Sequence, residues 1–197
     1  MLYKSARALI KIYLKLVYRT KYIGEENLPK DGGYILCANH VSALDPFFLA
    51  CGKVKECAFI AKAELFKFGF IRLVAKWFNI YPIKRGTGDI GGMKKAISLV
   101  NEGKTLVMFP EGTRSKDGKL GEGKSGVSLI AKKTGCVLVP CAINGKAKLF
   151  KKTKVIYGKP FILNEVKSSE ELNLETKRLM KEISYLLEEF DENNTDC

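Results

Sequence analysis

The sequence has one histidine, His40, and its six cysteines form no C-x-x-C pair. With so few nitrogen and sulfur ligands, a structural zinc site is not expected. No segment reaches the ~20 uncharged apolar residues that span a bilayer. The first apolar stretch is broken by a basic residue every three or four positions and has no small-residue cleavage site, so no secretory signal is expected. No acidic residue occurs before Glu25. Internal repeats, linkers and low-complexity blocks are absent. The 197 residues therefore suit a single domain with a sizeable core.

Positive charge is abundant. The formal net charge is +13, from 34 basic and 21 acidic residues. It is unevenly spread: residues 1–30 carry +5, residues 31–164 carry +14 and residues 165–197 carry −6. A basic body attracts phosphate as anionic lipid, phosphorylated metabolite or nucleic acid, and composition does not choose among them. Cysteines 37, 51, 57, 136, 141 and 197 lie largely in apolar strand-like runs and read as buried thiols of a reducing compartment.

Periodicity sets out the elements. Residues 2–20 read as a helix on which Lys4, Arg7, Lys11, Lys15 and Arg19 recur every three or four positions. Leu2, Leu9, Ile10, Ile12, Tyr13, Leu14, Leu16 and Val17 cover most of the rest. This pattern points to an interfacial helix at a membrane surface; the alternative is a helix packed on its own domain with a solvated stripe. Strands are expected at 34–39, 57–61, 80–83, 105–109, 137–143 and 154–157. Helices are expected from Asp45, at 63–79 with a break at Gly69, at 89–101 capped by Asp89, at 124–134 and at 168–190 capped by Ser168 or Ser169. The aromatic-rich stretch Phe66–Phe78 fits a second docking surface or the wall of an acyl-chain channel, and equally plain core packing. Alternating strands and helices imply an α/β fold: a mixed, mostly parallel sheet flanked by helices, with an N-terminal amphipathic membrane-docking helix and a C-terminal helix. The expected division is residues 1–30 as the membrane-associated helix and 31–197 as the α/β domain.

The run Asn39-His40-Val41-Ser42-Ala43-Leu44-Asp45-Pro46 concentrates the chemistry. Histidine is the side chain best suited to proton transfer near neutrality. Residues five apart sit about 140° apart around a helix, so His40 and Asp45 meet only across a loop. Asp45-Pro46 reads as a helix N-cap followed by proline at the first helical position. A carboxylate folded back onto the imidazole would fix its tautomer, as in a catalytic triad without its serine. Taken alone, the spacing also fits a strand-end histidine and a helix cap.

A second motif, Phe109-Pro110-Glu111-Gly112-Thr113-Arg114-Ser115, follows a strand-like run about seventy residues later. Together the two motifs resemble the glycerolipid acyltransferase family, and within it the bacterial 1-acylglycerol-3-phosphate acyltransferases. His40 and Asp45 match the family's His-x4-Asp block. Residues 109–115 match its Glu-Gly-Thr-Arg block, and Val139-Pro140 matches its valine-proline block. The second family block departs: Asn79 stands in place of glycine and Pro82 in place of phenylalanine, while Ile83 and Arg85 match.

The resemblance implies acyl transfer from a thioester to the sn-2 hydroxyl of lysophosphatidic acid, giving phosphatidic acid for phospholipid biosynthesis. His40 is then the general base, oriented by Asp45, and Glu111 is the third catalytic residue, orienting Arg114 or holding a glycerol hydroxyl. Arg85, Gly112, Thr113 and Arg114 hold the acceptor phosphate. Lys84 and Asn39 are candidates for oxyanion stabilisation or support. Lys116, Lys119 and Lys124 read as a solvated basic face. No metal or cofactor is expected; acyl carrier protein or coenzyme A carries the acyl group as co-substrate. The expected partner is an anionic membrane surface and not nucleic acid, at the cytoplasmic face and peripheral. The alternatives are glycerol-3-phosphate or another lysolipid as acceptor, or a non-catalytic basic protein that binds lipid or nucleic acid.

Overall fold

The computed structural model describes residues 2–83, 90–144 and 147–192. Seven strands form one sheet: β1 (Lys21–Ile23), β2 (Ile35–Ala38), β3 (Cys57–Lys62), β4 (Ile80–Ile83), β5 (Thr105–Met108), β6 (Leu138–Ile143) and β7 (Lys154–Tyr157). Their spatial order is β1-β7-β6-β2-β5-β3-β4, and only the β6–β7 pair is antiparallel. The expected mixed, mostly parallel sheet is thus the observed one. Six α-helices are described: α1 (Leu2–Val17), α2 (Asp45–Ala50), α3 (Gly69–Phe78), α4 (Ile90–Asn101), α5 (Gly126–Thr134) and α6 (Ser169–Glu192). A 3-10 turn at Ala63–Lys67 precedes α3, so the aromatic stretch breaks at Gly69 as its sequence implies. The proposed cap at Asp89 lies outside the described residues.

The sheet is buried on both faces, and strand alternation divides the core. Leu36, Ala38, Val107, Val139 and Tyr157 face α1 and α2, packing with Leu14, Tyr18, Phe48 and Leu49. Ile35, Cys37, Leu106 and Leu138 face the other way, against Leu99 of α4, Ile130 of α5 and Leu179 and Ile183 of α6. The edges are modest. β1 has three residues, too few for its alternation to be read from sequence, and β4 carries Pro82. Because β1 pairs with β7 and Leu14, Tyr18 and Leu28 join the core, the sheet and core continue across the expected division at residue 30.

One helix end was legible as a residue type and resolves into specific bonds. Ser168 caps α6: its Oγ accepts the Glu171 N–H at 3.1 Å, and Glu171 Oε2 accepts the Ser168 N–H at 3.2 Å. That reciprocal pair is a capping box. The first helix is shorter than its pattern implied. It ends at Val17, and Arg19 at φ 46° turns the chain towards β1.

The first helix has two apolar faces. One buries Ala6, Leu14 and Tyr18 in the core. It is fixed by polar bonds as well: the Cys57 N–H donates to Tyr3 Oη at 2.9 Å, and the Arg7 guanidinium donates to the Gly52 carbonyl. Arg7 therefore leaves the expected exposed stripe, which consists of Lys4, Lys11, Lys15 and Arg19. The second apolar face, Leu9, Ile12, Tyr13 and Leu16, is exposed. Substitution should separate the two. Leu14→Ala should destabilise the fold by about 2–5 kcal/mol, whereas Leu16→Ala should stay within about 0.5 kcal/mol in urea denaturation.

Candidate active site

His40 follows the carboxyl end of β2, and Glu111 follows the carboxyl end of the adjacent β5. Loops at this end of a parallel sheet are where α/β folds bind ligands. Backbone pairing therefore brings together two motifs seventy residues apart.

His40 Nδ1 lies 2.8 Å from Asp45 Oδ2. The same oxygen accepts the Val41 and Ser42 N–H groups, each at 2.7 Å. Asp45 is fully buried. Three donors thus converge on Oδ2, while Oδ1 is buried without a hydrogen-bond partner among the described residues, and the bonds to Oδ2 hold the loop that separates the two residues. The sequence reading needs one correction. Asp45 is the first residue of α2 and Leu44 the residue before it, so Asp45 does not cap its own helix. Its acceptor is spent on the preceding loop and on the imidazole. The ring is also stacked on Phe109, with centroids 4.0 Å apart and planes at 16°. With Nδ1 engaged by Asp45, Nε2 is the nitrogen left to accept a proton.

Glu111 sits where residue spacing could not show. Its Oε1 accepts the His40 N–H at 2.8 Å and its Oε2 accepts the Gly121 N–H at 2.9 Å. Both oxygens hold backbone, one of them that of His40. The Ser115 N–H closes the arrangement by donating to the His40 carbonyl at 2.8 Å. Glu111 is therefore a strut between the two motif loops.

The other named residues separate clearly. Asn39 is buried and its amide is paired with Ile143 in both directions, at 3.0 and 2.8 Å, which ties the ends of β2 and β6. Asn39 thus supports the strand ends from which the site loops leave. Thr113 and Arg114 are exposed on the loop. Gly112 takes φ 73°, a bend that favours glycine. Lys84 and Arg85 lie outside the described residues. Ser42 Oγ accepts the Leu44 N–H, and Ser115 Oγ bonds Asp117 and the Gly118 N–H, so both motif serines serve turns. The Lys119 N–H and the Ser115 hydroxyl hold the Asp117 carboxyl below its usual range.

Lys124 is exposed, as a solvated basic face requires, and also has a place in the loop. Its N–H donates to the Pro110 carbonyl at 2.9 Å. Its side chain lies close beside Gly112, with Nζ 3.2 Å from where a Cβ would stand. A contact between residues twelve apart in an irregular loop leaves no periodic mark in sequence. No group of three or more metal-ligating side chains occurs among the described residues.

A family model described as Acyltransferase matches residues 19–144. The chain belongs to this acyltransferase family. It is similar to the 1-acyl-sn-glycerol-3-phosphate acyltransferase of Bacillus subtilis, 31% identical over 201 residues covering 97% of this chain and 100% of that protein. It is 37% identical over 136 residues to the chloroplastic 1-acyl-sn-glycerol-3-phosphate acyltransferase BAT2 of Brassica napus, covering 67% of this chain but only 39% of that protein. The chain thus spans about two fifths of the length of this chloroplast relative. The crystal structure of the 1-acyl-sn-glycerophosphate acyltransferase PlsC from Thermotoga maritima superposes with a TM-score of 0.76 at 29% identity, covering 96% of this chain and 81% of that one.

The strut can be tested by its acceptor count. Glu111→Gln presents an amide NH2 to one of two backbone N–H groups, which leaves a buried donor unsatisfied. It should lower stability by about 1–3 kcal/mol in denaturant titration. Unchanged stability would assign the two carboxylate contacts no energetic weight.

Proposed function

We propose that this acyltransferase moves an acyl chain from a thioester to the sn-2 hydroxyl of lysophosphatidic acid, forming phosphatidic acid. The observation that carries the reading is the His40–Asp45 contact held against Glu111, in a chain whose full-length Bacillus relative bears that activity in its name. Nε2 of His40 takes the proton of the acceptor hydroxyl as its oxygen attacks the thioester carbonyl. Asp45 stabilises the resulting imidazolium. Collapse of the tetrahedral intermediate breaks the carbon–sulfur bond, and the imidazolium returns the proton to the leaving thiolate. The ester oxygen is the former hydroxyl oxygen, so the step balances without metal or cofactor.

Arg114, with Arg85 by resemblance, clamps the acceptor phosphate, since a guanidinium makes two parallel bonds to phosphate oxygens. Lys124 adds a cation beside the loop backbone at Gly112. The donor is acyl carrier protein or coenzyme A thioester. The +14 charge of residues 31–164 suits an acidic carrier as well as coenzyme A phosphates.

We place the protein at an anionic membrane, on its cytoplasmic face and peripherally. No described helix is long and apolar enough to cross a membrane. Support for docking comes from the exposed Leu9, Ile12, Tyr13 and Leu16 of α1, which Lys4, Lys11 and Lys15 flank. Leu65, Phe68 and Leu73, before and within the neighbouring α3, are exposed too. The five described cysteines are buried free thiols, in keeping with a reducing compartment.

Three outcomes test this. His40→Ala should lower acyl transfer by about 10²–10⁴-fold while the protein stays folded, measured as thiol release with lysophosphatidic acid as acceptor. Arg114→Ala should lower kcat/KM for that acceptor by about 10–200-fold, through acceptor binding and not donor binding. Leu9→Asp or Ile12→Asp should weaken binding to phosphatidylglycerol-containing vesicles by about tenfold or more, with turnover of a detergent-dispersed acceptor retained. Glycerol-3-phosphate outperforming lysophosphatidic acid in an acceptor panel would change the substrate. No thiol release with any acceptor would return the chain to a binding role.

A further inference from the structure

The turn between β6 and β7 holds two large apolar side chains that the domain does not cover. Leu149 is 62% exposed and Phe150 is 69% exposed. Phe150 also has φ 60°, a left-handed conformation in which a bulky residue is strained and glycine or asparagine is at ease. Folding alone gives no reason for an aromatic there. The turn is held firmly. The Phe150 N–H donates to the Val17 carbonyl at 2.8 Å, and the Lys151 N–H to the Lys148 carbonyl at 3.1 Å. The Thr153 N–H donates to the Tyr18 carbonyl at 2.9 Å. Phe150 is therefore fastened to the end of α1, one residue from the exposed Leu16.

The charges around the turn point one way. Lys148, Lys151 and Lys152 are exposed beside Leu149 and Phe150. No acidic residue occurs anywhere between Glu122 and Glu165. An aromatic tip ringed by lysines suits the headgroup layer of an anionic lipid surface: the ring enters the interface and the ammonium groups meet lipid phosphates. A second copy of the chain would set lysines against lysines, which opposes self-association through this patch.

We propose that the Leu149–Phe150 turn is a second anchor into an anionic lipid surface, beside the helix α1. The inference rests on the docking role given to α1 and adds a consequence. A single interfacial helix leaves a domain free to roll about the helix axis. A second anchor fastened to its end stops the roll and fixes how the loop bearing His40 stands relative to the lipid.

The test uses the full-length protein, its Phe150→Gly and Phe150→Trp variants, and vesicles of equal phosphatidylglycerol and phosphatidylcholine. Phe150→Gly should keep or raise the melting temperature, because glycine relieves the left-handed strain, yet bind these vesicles about tenfold more weakly. The Phe150→Trp protein should show a blue shift on vesicle addition beyond that of the wild-type Trp77 emission. Unchanged affinity, or an unshifted tryptophan, overturns the proposal. So does a loss of affinity accompanied by a lower melting temperature, which would make the turn a folding element. A dimer of the wild type that Phe150→Gly abolishes without lipid gives the patch to a second copy instead. Acyl transfer to detergent-dispersed lysophosphatidic acid should match the wild type in both variants. If the wild type itself transfers no acyl group, the enzymatic reading falls while the vesicle comparison still decides the anchor.

Discussion

The buried carboxylate of Asp45 is the constraint on which the site depends. A carboxyl group away from water depends on the hydrogen bonds its oxygens accept. Here Oδ2 alone carries that role, receiving two backbone N–H groups and the imidazole, while Oδ1 is buried without a partner among the described residues. The backbone donors shape the loop from His40 to Asp45, and the helix that follows buries Phe48 and Leu49 in the core. Orientation of the imidazole is therefore coupled to core packing through a single residue. The Glu111 strut acts from the other side, on the His40 backbone, and leaves the ring to Asp45 and Phe109.

Much of this was legible because periodicity and spacing report it directly. The strand at Ile80–Ile83, the strand at Lys154–Tyr157 and the break at Gly69 agree with the sequence reading to the residue. The loop argument for His40 and Asp45 needed only helix geometry. What sequence hid were contacts between irregular segments. The pairing of Glu111 with the His40 and Gly121 backbones, the closure of Asn39 on Ile143 and the close approach of Lys124 to Gly112 carry no period. The N-cap reading of Asp45 failed for an instructive reason: the residue type was right for binding backbone N–H groups, but the groups it binds precede the helix.

The first helix shows why an amphipathic pattern supports two readings at once. Its apolar residues cover more than one face, and the structure uses one face for the core and leaves the other uncovered. The alternatives of packing and docking were never exclusive. Arg7 marks the boundary, since its guanidinium turns inward to the Gly52 carbonyl while Lys4, Lys11 and Lys15 stay in solvent.

The sheet edges bear on the proposed location at a lipid surface. Proteins gathered on a lipid layer meet one another far more often than in solution, and an open strand edge is a template for unwanted pairing. One edge of this sheet is a three-residue strand and the other carries a proline that offers no N–H. Neither edge gives a neighbouring molecule a long ladder to extend. At a lipid surface of the kind proposed above, crowding would thus raise the local amount of enzyme without seeding fibres.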